Sequence, residues 1–568
     1  MKNKSVNSRK LRYGGVTAAL TALVIAVIIL FNVVFSMLAS KFTWYIDLTP
    51  DYLYTLSDAS IELIKNGDDK FDTVSPIEMV DKIRAENKAY NEENGLSFGD
   101  EGYRDENAYV NIIFCDDPDI VKSSTNSSYV YNTALELQSE FPDYIKVINH
   151  NIVRNPSAVY KYRQTSTTNI APTDVIVEFG TEYKTYSLNS FYTFDTDTGD
   201  AWAYNGEMKL ASGILAVTRA ESPIACFTTS HGESTPDKAF YNTLSDAGYT
   251  VETIDLASDP IPEDCRLIVI FNPQSDFLVK NSTSDVDEIQ ILDDFLDGTN
   301  SMMVFMDSNT NKGQRLNYLE DYLEEWGISF DRTTGTGTEH PYIIRDSSQS
   351  LTTDGFTIKS KYAEGGLSSI TSDMRNSASP KDVIFSHAMS MSYSPLYETK
   401  RYVDADDSSI QYDYGSYYSN GVSRSVFDLF VTSDKAVAHA NGEEVAKATK
   451  INPFKLMMIS AEERNVQSSN YDITNEASYV VACGSTSFAS AQFLENGAYG
   501  NNDLLLSVCR AIGHEPVPLG IERKPFADYT IDTITTAEST QYTIVFTVVP
   551  VVLATVCGAV VLIRRKNK

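Results

Sequence analysis

Histidine and cysteine are scarce, six of each in 568 residues. The histidines stand apart at 150, 231, 340, 387, 439 and 514, and no Cys-x-x-Cys or Cys/His cluster occurs. This excludes the spacings of a structural zinc site or a dithiol redox centre. Cys115, Cys226, Cys265 and Cys483 sit in or beside apolar strand-like runs and Cys509 in a helical pattern, the setting of small buried hydrophobes. The density is too low for a disulfide scaffold, although an outside compartment permits disulfides. No Walker A pattern and no Gly-x-Gly-x-x-Gly is present, so neither a P-loop nor a dinucleotide fingerprint is available. Positive charge is also short: 46 Lys and Arg face 77 Asp and Glu, a net charge of −31. That balance argues against nucleic acid and against anionic lipid held through a basic face. The acidic residues are dispersed, with short clusters such as Glu92-Glu93 and Asp293-Asp294, which reads as a solvated surface ahead of an acidic docking surface.

What the chain does have is two long uncharged apolar runs, Val16–Leu38 and Tyr542–Ile563. Each exceeds the roughly 20 residues an α-helix needs to cross a bilayer. Lys2, Lys4, Arg9, Lys10 and Arg12 precede the first, and Arg564, Arg565, Lys566 and Lys568 follow the second, with no acidic residue in either tail. Positive charge near span ends stays cytoplasmic. The expectation is a two-pass protein of the plasma membrane, held in the lipid bilayer at 16–38 and 542–563, with cytoplasmic tails at 1–15 and 564–568 and residues 41–541 extracytoplasmic. The first run could instead be a cleaved signal peptide, but an h-region of roughly 7–15 residues is usual, and Ala39-Ser40 offers no clean small-x-small site. Pro550 inside the second run is tolerated in a membrane helix.

Between the runs the pattern is α/β. Trp44–Leu48 reads as a strand leaving the membrane, and Ser57 as the N-cap of a helix from Asp58. Residues 66–107 read as a loop-rich insertion around a short helix. Strands at Tyr109–Phe114 and Ile145–Asn149, helices at Asn132–Phe141 and Pro156–Tyr162, and a hairpin from Asp174–Phe179 and Glu182–Leu188 follow the order of a thioredoxin-like domain, set at 44–200. A second α/β domain spans 207–513. It has helices at Glu207–Thr218, Asp237–Ala247, Asp285–Leu296, Leu316–Trp326 and Asp503–Gly513. Its strands are Ile224–Thr228, Tyr249–Ile254, Leu267–Phe271, Met302–Met306, Lys455–Ser460 and Ser478–Cys483. Strands alternating with helices imply a parallel sheet covered on both faces. Residues 331–425 break this rhythm and read as an irregular insertion, and 514–540 as a stalk to the second run.

The sharpest local feature is Thr228-Thr229-Ser230-His231-Gly232-Glu233, between a strand and a helix. Ligands of open α/β sheets bind beyond the carboxyl ends of strands, so Ser230, His231, Gly232 and Glu233 form the candidate ligand or partner turn, with His231 and Glu233 as its polar pair. The plainer alternative is a turn whose small polar residues satisfy backbone groups. Gly484-Ser485-Thr486-Ser487 is not a nucleophile elbow, and Cys226 lies inside its strand rather than at the following turn. No catalytic set, cofactor site or metal site is therefore assigned.

Four segments resemble the GldG-like family, gliding-motility-type auxiliary extracytoplasmic components of ABC transport systems. They are Tyr45-Ile46-Asp47-Leu48-Thr49 through Tyr54-Thr55-Leu56-Ser57; His231-Gly232-Glu233 after its strand; Pro262–Phe271 followed by Asn272-Pro273; and Gly484–Phe488 with Asn501 and the Leu504–Ile512 helix. The likeness covers most of 44–525. Ser230 stands where the family usually has Gly, Ser485 and Ser487 where it tends to have Asp, and Thr299-Asn300 where Gly-Gly is common. The resemblance implies a membrane-anchored, non-catalytic partner of an ABC permease and a separate ATPase, whose body binds substrate or a cell-envelope ligand. It also implies a glutamine-amidotransferase-like (flavodoxin-like) second domain. The other readings are a membrane-tethered hydrolase or amidase using His231 and Glu233, and an adhesion or sensor protein, for which residues 331–425 are the support.

Overall fold

The computed structural model describes residues 53–67, 74–162, 170–194, 199–219, 223–281, 285–333, 339–363, 368–376, 380–403, 411–419, 422–467, 473–513, 517–526 and 563. Both apolar runs, apart from Ile563, lie outside the described residues, as do Trp44–Leu48 and most of the predicted stalk. Among the described residues no helix is long and apolar enough to cross a membrane. The chain divides into Tyr54–Pro525 and a second unit made of Met1–Leu53 and Phe526–Lys568.

Helix α1 (Asp58–Asn66) starts at Ser57, whose hydroxyl accepts the Ser60 N–H, with Asp58 in the first turn and Lys65 in the last, a charge order that suits the helix dipole. Helix α2 (Pro76–Asn94) is longer than the short helix the sequence suggests. A capping box between Ser75 and Glu78 and Pro76 at its start set its beginning, features that satisfy orphan N–H groups or need none. Only Pro76, Val80 and Asn91 of α2 are buried, so its apolar stripe is too thin to show as periodicity.

The first sheet has the order β2-β1-β3-β4, from β1 (Val110–Phe114), β2 (Ile145–Asn149), β3 (Val175–Phe179) and β4 (Glu182–Tyr186). β1 and β2 are parallel, and β3 runs antiparallel to both β1 and β4. Helix α3 (Thr125–Glu140) lies on the β1-to-β2 crossover. Strands β5 (Tyr192–Phe194) and β6 (Ala201–Tyr204) form a small separate sheet with Lys524–Pro525. Helix α4 (Gly206–Thr218) is buried at all thirteen positions. One side meets β3 and β4, where a Cβ on Gly213 would lie 3.0 Å from Val177 and Tyr186. The other reaches Asp246, through the Lys209 ammonium at 2.5 Å and the Ser212 hydroxyl at 2.8 Å. A helix buried all round, its polar side chains paired, packs on two sides, and α4 accordingly serves both α/β layers rather than only the second.

The second sheet runs, along its main path, Glu398–Val403, Gln411–Ser419, Val422–Val431, Lys455–Gln467, Ile473–Cys483, Ser301–Phe305, Cys265–Phe271, Ile224–Thr228 and Thr250–Ile254. Strands β7 (Ile224–Thr228), β8 (Thr250–Ile254), β9 (Cys265–Phe271), β10 (Ser301–Phe305) and β17 (Ile473–Cys483) are mutually parallel. In chain order they stand 2-1-3-4-5. Their side chains alternate between two cores. Phe227, Val269, Phe305 and Cys483 face Phe240 and Leu244 of α5 (Lys238–Asp246) and Leu505 and Val508 of a C-terminal helix, Asn501–Gly513. Cys226, Ile268, Val304 and Val480 face Leu292 of α6 (Glu288–Asp297) and Leu323 of α7 (Asn317–Glu325). Burial on both faces explains the near-continuous apolar runs of β7, β9 and β10; β8, at the edge, is mostly exposed. Cys115, Cys226, Cys265, Cys483 and Cys509 are all buried free thiols; Cys557 lies outside the described residues.

The segment read as irregular carries much of the sheet's other half. β11 (Ile328–Phe330) pairs with β12 (Met391–Tyr393), while β13 (Glu398–Val403), β14 (Gln411–Ser419) and β15 (Val422–Val431) form an antiparallel meander whose last strand pairs antiparallel with β16 (Lys455–Gln467), itself antiparallel to β17. Every residue of β13 is exposed. Strands this wet need no apolar run, so their Ser/Tyr-rich sequence reads like a loop.

Candidate functional site

Because β7, β9, β10 and β17 are parallel, the loops that follow them share one edge. Ser230 and Gly232 both take positive φ, +83° and +70°, and both are exposed, whereas His231 between them is buried. The His231 carbonyl accepts the N–H groups of Gln274 and Ser275 at 2.8 and 2.9 Å, which clasps the turn to the loop after β9. The ring stacks on Phe277, with centroids 4.0 Å apart and planes 9° apart. Its Nδ1 is 3.3 Å from Glu233 Oε1 and its Nε2 2.9 Å from Glu288 Oε2. Glu233 also accepts the His231 backbone N–H at 2.8 Å, and Glu288 accepts Leu278 N–H at 2.6 Å.

Burial alone would lower the His231 pKa. Hydrogen bonds and attraction from the two carboxylates outweigh it and raise the ring to about 9. Burial likewise pushes Glu233 up, but His231 and the backbone donors hold it below the usual carboxylate range. An imidazolium has two donors and no lone pair. While protonated it is neither a general base nor a metal ligand, and among the described residues no group of three His, Cys, Asp or Glu is placed to hold a metal ion. The predicted pair is thus brought together, with Glu288 added as its second acid, and its first chemical consequence is to fasten two loops.

The remainder of the edge is laced by short polar side chains. Asn272, at φ +53°, donates to Ser234 Oγ at 2.7 Å and accepts from the Thr310 hydroxyl at 2.8 Å. Thr310 Oγ1 accepts the Asp307 N–H at 2.9 Å, and the Thr486 hydroxyl donates to the Asp307 carboxylate. Ser485 donates to the Ser386 carbonyl at 2.7 Å, with Ser487 3.1 Å from the same oxygen. Asn272 follows its strand directly, and Glu288 stands in an acidic helix start. Those were the local signals; what sequence order hides is that they meet His231.

A second buried constellation lies where the two ends of Tyr54–Pro525 come together. Glu207, 2% exposed, takes hydrogen bonds on Oε1 from the Ser57 N–H at 2.5 Å and from the Ser57 and Ser60 hydroxyls at 2.6 Å each. Its Oε2 lies 2.7 Å from the Lys524 ammonium, which also donates to the Thr55 carbonyl. Burial pushes Glu207 up, but Lys524 and the two serines together hold it below the usual range. Nothing local in the sequence marks this residue.

No protein-family model matches the chain, and no curated protein matches it.

Proposed function

We propose that the chain is a membrane-anchored auxiliary subunit of an ABC-type transport system, its body outside the membrane and docked beside a permease served by a separate ATPase. The observation that carries this reading is the Glu207 cluster. A body tethered at both ends must return its last strand to where its first helix begins, and Ser57 and Lys524 share one buried carboxylate. The orders 2-1-3-4 and 2-1-3-4-5 of the two sheets support a thioredoxin-like first layer and a flavodoxin-like, amidotransferase-like second one. The edge where a relative of that second fold would work is occupied here by internally bonded side chains. ATP hydrolysis then belongs to the partner, and the chain contributes a binding body. The hydrolase reading gains nothing from His231, because both ring nitrogens are engaged by carboxylates.

The test is purification of the tagged full chain in mild detergent. A polytopic permease and an ATPase should co-purify at defined stoichiometry. Recovery of the chain alone, from cells in which it is membrane-bound, overturns the reading.

A further inference from the structure

A cleft of about 250 Å³ opens between β5, the start of α4 and the start of α5, and is lined in part by Thr193, Asn205, Lys209, Lys238, Glu495 and Arg523. Its volume falls just below the ~300 Å³ at which drug-sized sites begin, room for a small metabolite and not for a polymer. Two polar groups in its lining are buried and incomplete. Asn205 is 6% exposed. Its N–H is tied to the Phe191 carbonyl at 2.8 Å and its Nδ2 to Thr193 Oγ1 at 2.7 Å. Its Oδ1 has no hydrogen-bond partner among the described residues. Arg523 donates from Nη1 to the Leu494 carbonyl at 2.7 Å, while its buried Nε has no partner among the described residues either.

A buried donor or acceptor left unmet is destabilising; two lining one cleft mark it as built for an occupant. The charges refine the occupant. Lys209 is neutralised by Asp246 at 2.5 Å, which leaves Lys238 and Arg523 against Glu495, a net positive cleft in a chain of net charge −31. We propose that this cleft binds a small organic acid that carries an ammonium or hydroxyl donor beside its carboxylate, the chemistry shared by free amino acids and 2-hydroxy acids. The carboxylate goes to Arg523 and Lys238, and the donor to Asn205 Oδ1 and Glu495. This depends on the cleft alone and not on the transport reading: binding by the isolated chain stands whether or not a permease co-purifies.

The experiment is isothermal titration of the purified full chain in detergent with glycine, L-serine, L-glutamate and L-lactate, with acetate and inorganic phosphate as comparators. At least one amino or hydroxy acid is expected to bind with Kd tighter than roughly 1 mM, and acetate and phosphate more weakly than it. A preference for amino acids over lactate assigns the donor to an ammonium facing Glu495; the reverse assigns a hydroxyl. Lys238→Glu, at an exposed position, should raise Kd about tenfold, the loss of one charge-assisted bond. Asn205→Ala should do the same and abolish the advantage over acetate. If Asn205→Ala does not fold, Lys238→Glu decides alone. No binding by any of the four acids, equal binding of acetate or phosphate, or a Kd unmoved by Lys238→Glu overturns the assignment.

Discussion

His231 sits in a slot walled by two carboxylates and floored by Phe277, and its protonation carries stability. The ring titrates near 6.5 when unfolded and is raised to about 9 in the fold. Its contribution is therefore fully present below pH 6.5 and is lost as pH rises through about 9, a difference of about 3 kcal/mol at most. Denaturant midpoints of the full chain should fall across that window, and His231→Gln should lower the midpoint at pH 6 while flattening the decline. A wild-type midpoint unchanged from pH 6.5 to 9.5 would rule the charged ring out. The turn itself was legible in the sequence, from a strand, two small residues around a histidine, and a helix. Its role was not, because Glu288 lies 57 positions away and only the sheet topology brings it to Nε2.

At the level of elements, close approach decides more than propensity. Gly484 ends β17 where a Cβ would fall 2.1 Å from the Met389 carbonyl oxygen, and its own N–H and C=O bond Leu456 and Met389 at 2.9 and 2.7 Å. The backbones on either side are fixed by those bonds, so neither can retreat. Gly484→Ala should destabilise the chain by about 1–3 kcal/mol, seen as a lower denaturant midpoint at unchanged slope. Gly497→Ala, with open space at its Cβ, should stay within about 0.5 kcal/mol of wild type. Equal effects at the two positions would refute the packing account. The central parallel strands were legible because burial on both faces forces apolar runs such as Ile268–Phe271 and Met302–Phe305; the edge strand β8, with one buried residue, carries no such run. Of the antiparallel half only β16 was legible, through Lys455–Ser460; β14 reads Gln-Tyr-Asp-Tyr-Gly-Ser-Tyr-Tyr-Ser and has one buried residue, Gly415. Helix α2 was underestimated for the same reason.

For the molecule as a whole, the two ends of Tyr54–Pro525 are bound to one another. Lys524 reaches the Thr55 carbonyl across 469 positions of sequence, and both end segments converge on Glu207. Removing one member of a buried ion pair leaves the other without compensation and costs about 3–5 kcal/mol. Lys524 is 17% exposed at its side chain, so Glu207→Ala belongs at the upper end and Lys524→Ala at or below the lower. Because Glu207 is held below its ordinary value, its contribution is present above about pH 4.5 and is lost as pH falls through the folded pKa. Acid should then loosen the ends as the Glu207 substitution does. Hydrogen exchange separates a two-sided latch from a local helix cap. In Glu207→Ala the amides of α1 and of β6, the partner of Lys524–Pro525, should lose protection together, and in Lys524→Ala β6 should loosen at least as much as α1. If Glu207→Ala frees α1 and leaves β6 protected, Glu207 is a cap for one helix, and the two ends of the body are joined by other means.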